Sequence, residues 1–392
     1  MRHHLHYIPL HEINHETVKL KELNQLIRQE SEIDSTVVEN FPLTNFGLEH
    51  DDLNIKGAKA LLEAFYKIDN EKIDLVYEFG NVKYLGLTKD RQIMFQFDEI
   101  SASGIYNFTS QFYSLFHLGK YAKWLIEHNH EDLLGENLKK LLEKNKGMKK
   151  QFRFIKDGLT EYLRGFTSTT YKNYDNNLCI YLVLLALHQH SVNHNVDFRI
   201  EKAHLSDSAF QIFFEQQKPI SIEGLGDIYF GACATNNEIR DKQFSFEIRY
   251  KIIDPKNPNL YFSAMAQLKD SVFDIKKNYG LDTIKMRFNN IRNLKELQDS
   301  MIFYIRELKN IKTLTKDELT PLYSKITSSR NFTEETKKNM KDLYDKNLVK
   351  NTYTILQALN KVNSITTDLD ELQNLERIYN EFIAELVESM EK

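Results

Sequence analysis

The chain has 392 residues, 41% of them hydrophobic and 28% charged, with a formal net charge of −4. That mixture supports globular folding and excludes wholesale disorder, and at roughly 150 residues per domain it predicts two or three domains. The acidic balance excludes a protein that is basic throughout. The only cysteines, Cys179 and Cys233, exclude a disulfide framework and fit a reducing cytosol.

The N-terminal stretch "MRHHLHYIPLHEINHE" lacks the apolar segment of a signal peptide. No run reaches the ~20 apolar residues that cross a bilayer. The expectation is a cytoplasmic protein, in a bacterial host, with no membrane association. From Glu12 to Asp52 ten acidic residues face three basic ones, so the N-terminal segment is acidic. "HETVKLKELNQLIRQESE" (15–32) has a helical stripe, and "NIKGAKALLEAFYKI" (54–68) a stronger one through Ala58, Leu61, Leu62, Phe65 and Ile68.

The period then changes to two. "KIDLVYEFGNVKYLGL" (72–87) reads as a hairpin with Gly-Asn at its turn, and "RQIMFQFDEI" (91–100) as a further strand. Helices are predicted over 100–116 and over 119–146, the latter carrying the only tryptophan, Trp124. "KQFRFIKDGLTEYLRGFTST" reads as strand, Asp-Gly turn, strand. "LCIYLVLLAL" (178–187) is a buried helix by its length. Two strands around a Ser-Asp turn and two or three more follow it. After Pro258 the β signal fades into four helices and a shorter one in which Pro321 acts as a breaker.

The order predicts an α+β fold: a mixed central domain with antiparallel hairpins, then an all-helical C-terminal domain. The expected boundaries are a helical or irregular segment at 1–70, a core domain at 71–262 and helices at 263–392. In the last helix Leu375, Ile378, Tyr379, Phe382, Ile383, Leu386 and Val387 share a stripe. Such a stripe needs a covering surface, either internal or in a homo-oligomer.

Candidate chemistry centres on 139–176. Between Lys139 and Lys172 ten basic residues face three acidic ones, interleaved with Phe152, Phe154, Tyr162, Phe166 and Tyr171. Lysine and arginine attract phosphate, and exposed aromatic faces stack on unpaired bases. Arg153, Lys156, Arg164 and Lys172 are the phosphate candidates, Tyr162, Tyr171 or Tyr174 the stacking ones, with Ser168 and Asn176 as further polar contacts. The competing reading is structural: on a strand Phe152 and Phe154 form a core face, and Arg153 falls on the opposite one. Asp175 or Asn176 would cap the next helix, with Tyr174 as its hydrophobic staple. That helix N-terminus would also accept an anion.

Other sites carry less. His190 and His194 are four apart and could ligate zinc beside His188, but a solvated helix end explains them as well. His3, His4, His6, His11 and His15 near the N-terminus define no site. Asp227, Glu238 and Asp241 would be carboxylates for Mg²⁺ if adjacent strands brought them together. No Walker loop, dinucleotide fingerprint or nucleophile elbow occurs, so no cofactor is assigned.

One resemblance bears on this region. Arg164, Ser168, Tyr171, Asp175 and Asn176 follow an Arg-x-x-x-Ser-x-x-Tyr-x-x-x-Asp-Asn pattern after a hairpin. Gly226, Asp227, Gly231, Asn236 or Asn237, and Glu238 supply a second block. These segments resemble a family of phage- and plasmid-like proteins defined only as a domain of unknown function, over about 100–255. The Cys-x-Asn-Gly-like segment of that family is missing here. The resemblance implies no activity, but it implies a phage or plasmid setting in DNA replication, recombination or interference with host defence.

The favoured reading is a non-catalytic protein associated with single-stranded DNA or another nucleic acid. The alternatives are an inhibitor that binds a host anti-phage defence protein complex, and a metal-dependent nucleotidyl-transfer or nuclease-like enzyme using Asp227 and Glu238.

Overall fold

The computed structural model describes residues 4–11, 13–239, 244–266, 273–276 and 278–390; Asp241 lies outside them. The chain begins with strand β1 (Tyr7–Leu10), helix α1 (Glu32–Asn40), strand β2 (Ile55–Lys56) and helix α2 (Ala58–Ile68). Four strands follow: β3 (Lys72–Glu78), β4 (Val82–Leu87), β5 (Ile93–Phe97) and β6 (Ile100–Gly104). Helices α3 (Phe108–Leu115), α4 (Gly119–Glu127) and α5 (Glu131–Lys144) lead to strands β7 (Lys149–Asp157) and β8 (Thr160–Thr167). Helix α6 (Asn176–His194) comes next. It is followed by strands β9 (Phe198–Ser206), β10 (Ala209–Gln216), β11 (Ile220–Ile222), β12 (Gly226–Asn237), β13 (Phe244–Asp254), β14 (Asn257–Met265) and β15 (Phe273–Ile275). The C-terminal helices are α7 (Leu281–Asn289), α8 (Leu294–Glu307), α9 (Lys316–Ser328), α10 (Glu334–Leu343), α11 (Ile355–Val362) and α12 (Leu369–Met390). The fold is α+β, as the alternation of periods predicts.

The strands make two sheets. The smaller has the order β3-β7-β8-β6-β5-β4. Its period-two pattern turns Phe95, Phe97, Phe152, Phe154 and Leu163 to one face, where α3 and α5 supply Phe108, Phe112, Leu134 and Leu138. Aromatic rings meet edge-on there, Phe95 with Phe112 and Phe97 with Phe152, each pair at 4.8 Å between centroids. The expected 72–87 hairpin does not form. β3 pairs with β7 and β4 with β5, which puts β3 and β4 at opposite edges. A 3-10 turn at Phe79–Asn81 separates them.

The larger sheet follows β1-β9-β10-β12-β13-β14, with β2, β11 and β15 added on β9, β12 and β13. One face is apolar: Ile212, Phe214, Ile228, Phe230, Phe246 and Ile248 are all buried. Helix α6 fills the core on this side. Leu178 through Leu187 are all fully buried, as an all-round apolar helix must be. Gly231 is required where β10 and β12 approach, because a Cβ there would meet the Phe214 carbonyl oxygen at 1.8 Å.

The cores do not follow the expected boundaries at 71 and 263. The six-stranded sheet and α3–α5 own one core. The N-terminal segment, α2, α6, the nine-stranded sheet and the C-terminal helices share the other. The α12 stripe finds its cover inside the chain, with Leu375, Tyr379, Phe382 and Ile383 buried and Tyr379 edge-on to Phe262 of β14. Three further expectations give way. Ile100–Gly104 is strand β6 rather than the start of a 100–116 helix, whose helical part is α3. Residues 20–26 are a 3-10 segment rather than part of a 15–32 helix, and α9 runs through Pro321.

Candidate functional site

Several of the residues singled out in the sequence, Arg153, Arg164, Asp175, Asn176 and Glu238, converge on one place, the joint between the two sheets. Arg153 of β7 and Asp74 of β3 project from the face of the smaller sheet opposite its aromatic core. A β-bulge in β8 sends Arg164 to the same side: the pairing runs Arg153 with Gly165 and Phe154 with Leu163, leaving Arg164 extra. From the other unit come Asp175, which immediately precedes α6, and Glu238, which follows β12. Arg153 donates to both Asp175 carboxylate oxygens at 2.7 Å, to Asp74 at 3.0 Å and to the Glu238 carbonyl. Arg164 pairs with the Glu238 carboxylate. Lys72 bridges Glu238 at 3.0 Å and Asp69 at 2.9 Å. Arg28 reaches Asp69 at 2.8 Å and Asp175 at 3.6 Å.

The cluster is electrically balanced: Arg28, Lys72, Arg153 and Arg164 are four cations, and Asp69, Asp74, Asp175 and Glu238 are four carboxylates. Burial pushes Asp175 and Glu238 toward protonation, yet Arg153 beside the first, and Lys72 and Arg164 beside the second, hold both below the usual carboxylate range. The same carboxylates hold the Arg153 guanidinium charged against the penalty of its burial. A buried neutral network of this kind fixes the relation of two packed units, and it has no net charge to offer a ligand.

This corrects the sequence expectation for several residues. Arg153 and Arg164 have fully buried side chains and cannot reach a phosphate in this conformation. Asn176 is buried as well: its backbone N–H donates to the Glu238 carboxylate at 2.9 Å, and its side-chain oxygen accepts from Asn236. Asp175 holds the N-cap position, but its side chain makes no capping bond because Arg153 takes it. The anion at the N-terminus of α6 is therefore Glu238 of the same chain. Tyr174 is buried, donating its hydroxyl to the Tyr279 carbonyl at 2.9 Å. Tyr171 is half-buried, with its ring 5.9 Å from the Arg153 guanidinium. Lys156 is half-buried and pairs with Glu71 at 3.1 Å, while Ser168 and Lys172 are exposed.

The proposed metal carboxylates do not meet. Asp227 is the second residue of β12 and Glu238 follows its end, eleven positions apart along an extended strand, a separation of roughly 36 Å. Asp227 instead accepts from the Ser221 hydroxyl at 2.6 Å. No cluster of three metal-ligating side chains occurs among the described residues. Of the α6 histidines, His190 and His194 stay together with ring centroids 4.4 Å apart, and His188 is engaged elsewhere. His188 is buried, its Nδ1 accepting from the Asn54 N–H at 3.1 Å and its Nε2 3.2 Å from the Phe46 carbonyl. His190 is buried while His194 is exposed.

A surface that the sequence reading passed over lies on the helical cover of the smaller sheet. On α4, Ala122, Leu125 and Ile126 take the buried face. Tyr121 and Trp124 fall outside that stripe and are 43% and 49% exposed. Trp124 stacks on His128 at 4.5 Å between centroids. Lys120 and Lys123 are exposed on the same helix, and Lys139, Lys140, Lys144, Lys146 and Lys149 are exposed on α5 and the segment after it. Between α5 and β4 runs an open groove of about 650 Å³ lined by Tyr84, Lys89, Arg91, Glu131 and Lys139 among others. The spacing in "GKYAKWLIE" was the available signal: the aromatics are surplus to the apolar stripe.

No protein-family model, curated protein or solved structure matches the chain.

Proposed function

We propose that the chain is a non-catalytic nucleic-acid-associated protein whose contact surface is the α4–α5 face rather than the joint. The observation that carries this reading is the exposed pair Tyr121 and Trp124 on a helix that also exposes Lys120 and Lys123. Exposed aromatics stack on unpaired bases, and lysines beside them neutralise the backbone. The carboxylates near these lysines are held loosely. Lys123–Glu127, Lys140–Glu136 and Lys146–Glu143 are 3.7, 3.9 and 3.8 Å apart, all on exposed side chains. Such pairs contribute little stability and exchange readily for phosphate. The resemblance to phage- and plasmid-like proteins supports the same reading, and Lys172 and Ser168 remain exposed as additional contacts.

The test is fluorescence anisotropy with a labelled single-stranded oligonucleotide, titrated from low to physiological salt. Binding should weaken steeply with salt. Trp124→Ala should reduce affinity by roughly 5- to 150-fold, the loss of one stacked base. Absence of binding at low salt overturns the reading, as does a Trp124→Ala, Tyr121→Ala chain that binds like the parent.

A further inference from the structure

The second face of the nine-stranded sheet is polar, and it lies on the opposite side of that sheet from α6. A β-bulge in β9 shapes it. Ile200 and Ala203 both point into the core, Phe213 and Phe214 pair with Lys202 and Ile200, and so Glu201 and Lys202 emerge together on the polar side. Most charges on this face are paired. Arg199 holds Glu215 at 2.7 Å, and Arg249 holds Glu201 at 2.7 Å and Glu376 of α12 at 2.8 Å. Arg377 of α12 holds Glu247 at 2.9 Å. Lys251 shares Glu201 and Glu215 with the arginines. Lys202 has no carboxylate within ion-pair distance among the described residues; its ammonium lies 4.5 Å from the centre of the Phe213 ring, with the Arg249 guanidinium 4.7 Å from the same ring.

Two residues further along β9, His204 projects on the same side. The His11 ring approaches it edge-on at 5.4 Å, and the Tyr7 hydroxyl lies 2.8 Å from its Nδ1. Gln211 sits directly across the strand pair from His204. Neither histidine has a carboxylate partner among the described residues. Positive groups are therefore gathered with no carboxylate in contact among the described residues: burial and then Arg249 lower the affinity of Lys202 for its proton, and Glu376 and Glu201, beyond ion-pair distance, only partly oppose them. Burial, Lys202 and His11 do the same to His204. The spot is open, since His11 is exposed and Tyr7 is 47% exposed.

We propose that Lys202, His204 and His11 form a binding site for a small phosphate-type oxyanion, with Tyr7 and Gln211 as neutral hydrogen-bond donors. An ammonium, the His11 imidazole, an amide and the hydrogen-bonded Tyr7–His204 pair present several donors on one strand face, which suits a tetrahedral anion with several acceptor oxygens. The bound anion supplies the close ion pair that Lys202 lacks among the described residues. The site is on the other sheet from Trp124, so it stands independently of the nucleic-acid reading.

The test is calorimetric titration of the full chain with inorganic phosphate, beside the Lys202→Gln and His204→Gln variants. The parent should bind one phosphate, and Lys202→Gln should weaken binding about tenfold or more with an unchanged unfolding midpoint. The same variant should keep its oligonucleotide affinity, and Trp124→Ala should keep its phosphate affinity. A parent chain that takes up no phosphate at millimolar concentration overturns the proposal. So does a Lys202→Gln chain that binds phosphate like the parent, or one that loses oligonucleotide affinity while keeping phosphate.

Discussion

The joint around Arg153 and the polar sheet face around Lys202 are built from the same side-chain types and reach opposite outcomes. At the joint each of the four cations has a carboxylate within 4 Å, and the side chains of Arg153, Arg164 and Glu238 are wholly buried. At Lys202 no carboxylate comes within 4 Å among the described residues, Glu376 and Glu201 acting only at longer range, and the ammonium rests against the Phe213 ring. Desolvation explains the difference. A charge sealed from water must be paired or it is strongly destabilising, whereas a half-open site can keep an unpaired cation because water or a ligand attends to it. A basic residue in a sequence thus says little about binding until its carboxylates are located.

The largest expected effect tests the sealed side. Glu238→Gln leaves Lys72 and Arg164 facing a neutral amide, and urea unfolding should show a loss of roughly 3–5 kcal/mol. A loss below about 1 kcal/mol would mean that water enters the joint and that the contrast with Lys202 is false.

Acid sharpens the comparison next. His190 and His204 are both buried and pushed down to about 4, His190 by burial and then His194, His204 by burial and then Lys202. Their folded values lie below the ordinary 6.5, so the stability they carry is complete above pH 6.5. It is lost as pH falls from about 6.5 to about 4, because the unfolded chain takes up protons that the folded chain refuses. Each histidine contributes at most roughly 3 kcal/mol. Asp175 and Glu238, held below the carboxylate range, keep their contribution through this window. A melting temperature that stays flat from pH 7 to 4.5 would contradict the assignment, and His190→Asn should flatten part of the slope.

The smallest effect is at the exposed rim. Lys172→Ala removes an exposed cation with no ion pair within 4 Å among the described residues, and thermal unfolding should place it within about 0.5 kcal/mol of the parent. Arg164→Ala, eight positions earlier and fully buried, should fall well outside that range.

Much of the fold is legible in the sequence where the signal is local. The β7–β8 hairpin follows from Asp157-Gly158 between alternating runs, and α2, α5 and α6 from their apolar spacing. Partners are less legible. Alternation assigns β3 and β4 their faces but not their neighbours, so adjacent strands were paired that the chain sends to opposite edges. The site suffers most from this. Alternation correctly separates Arg153 from Phe152 and Phe154, but nothing local reveals that a second layer seals the far face. Its partners Asp74 and Asp175 are 79 and 22 residues away. Lys202 was overlooked because its exposure depends on a bulge, and its significance depends on where Glu201, Glu215 and Glu376 spend their charge.

Arg28 has a topological consequence. One guanidinium holds Asp69, where the chain departs for the smaller sheet, and Asp175, where it comes back. The intervening hundred or so residues therefore hang from a doubly pinned stem, with a core of their own. Such a segment is a graft: a short bridge from Asp69 to Asp175 would leave the host's core continuous. Native-state hydrogen exchange would then show two protection tiers in the intact chain, with the grafted block opening before its host.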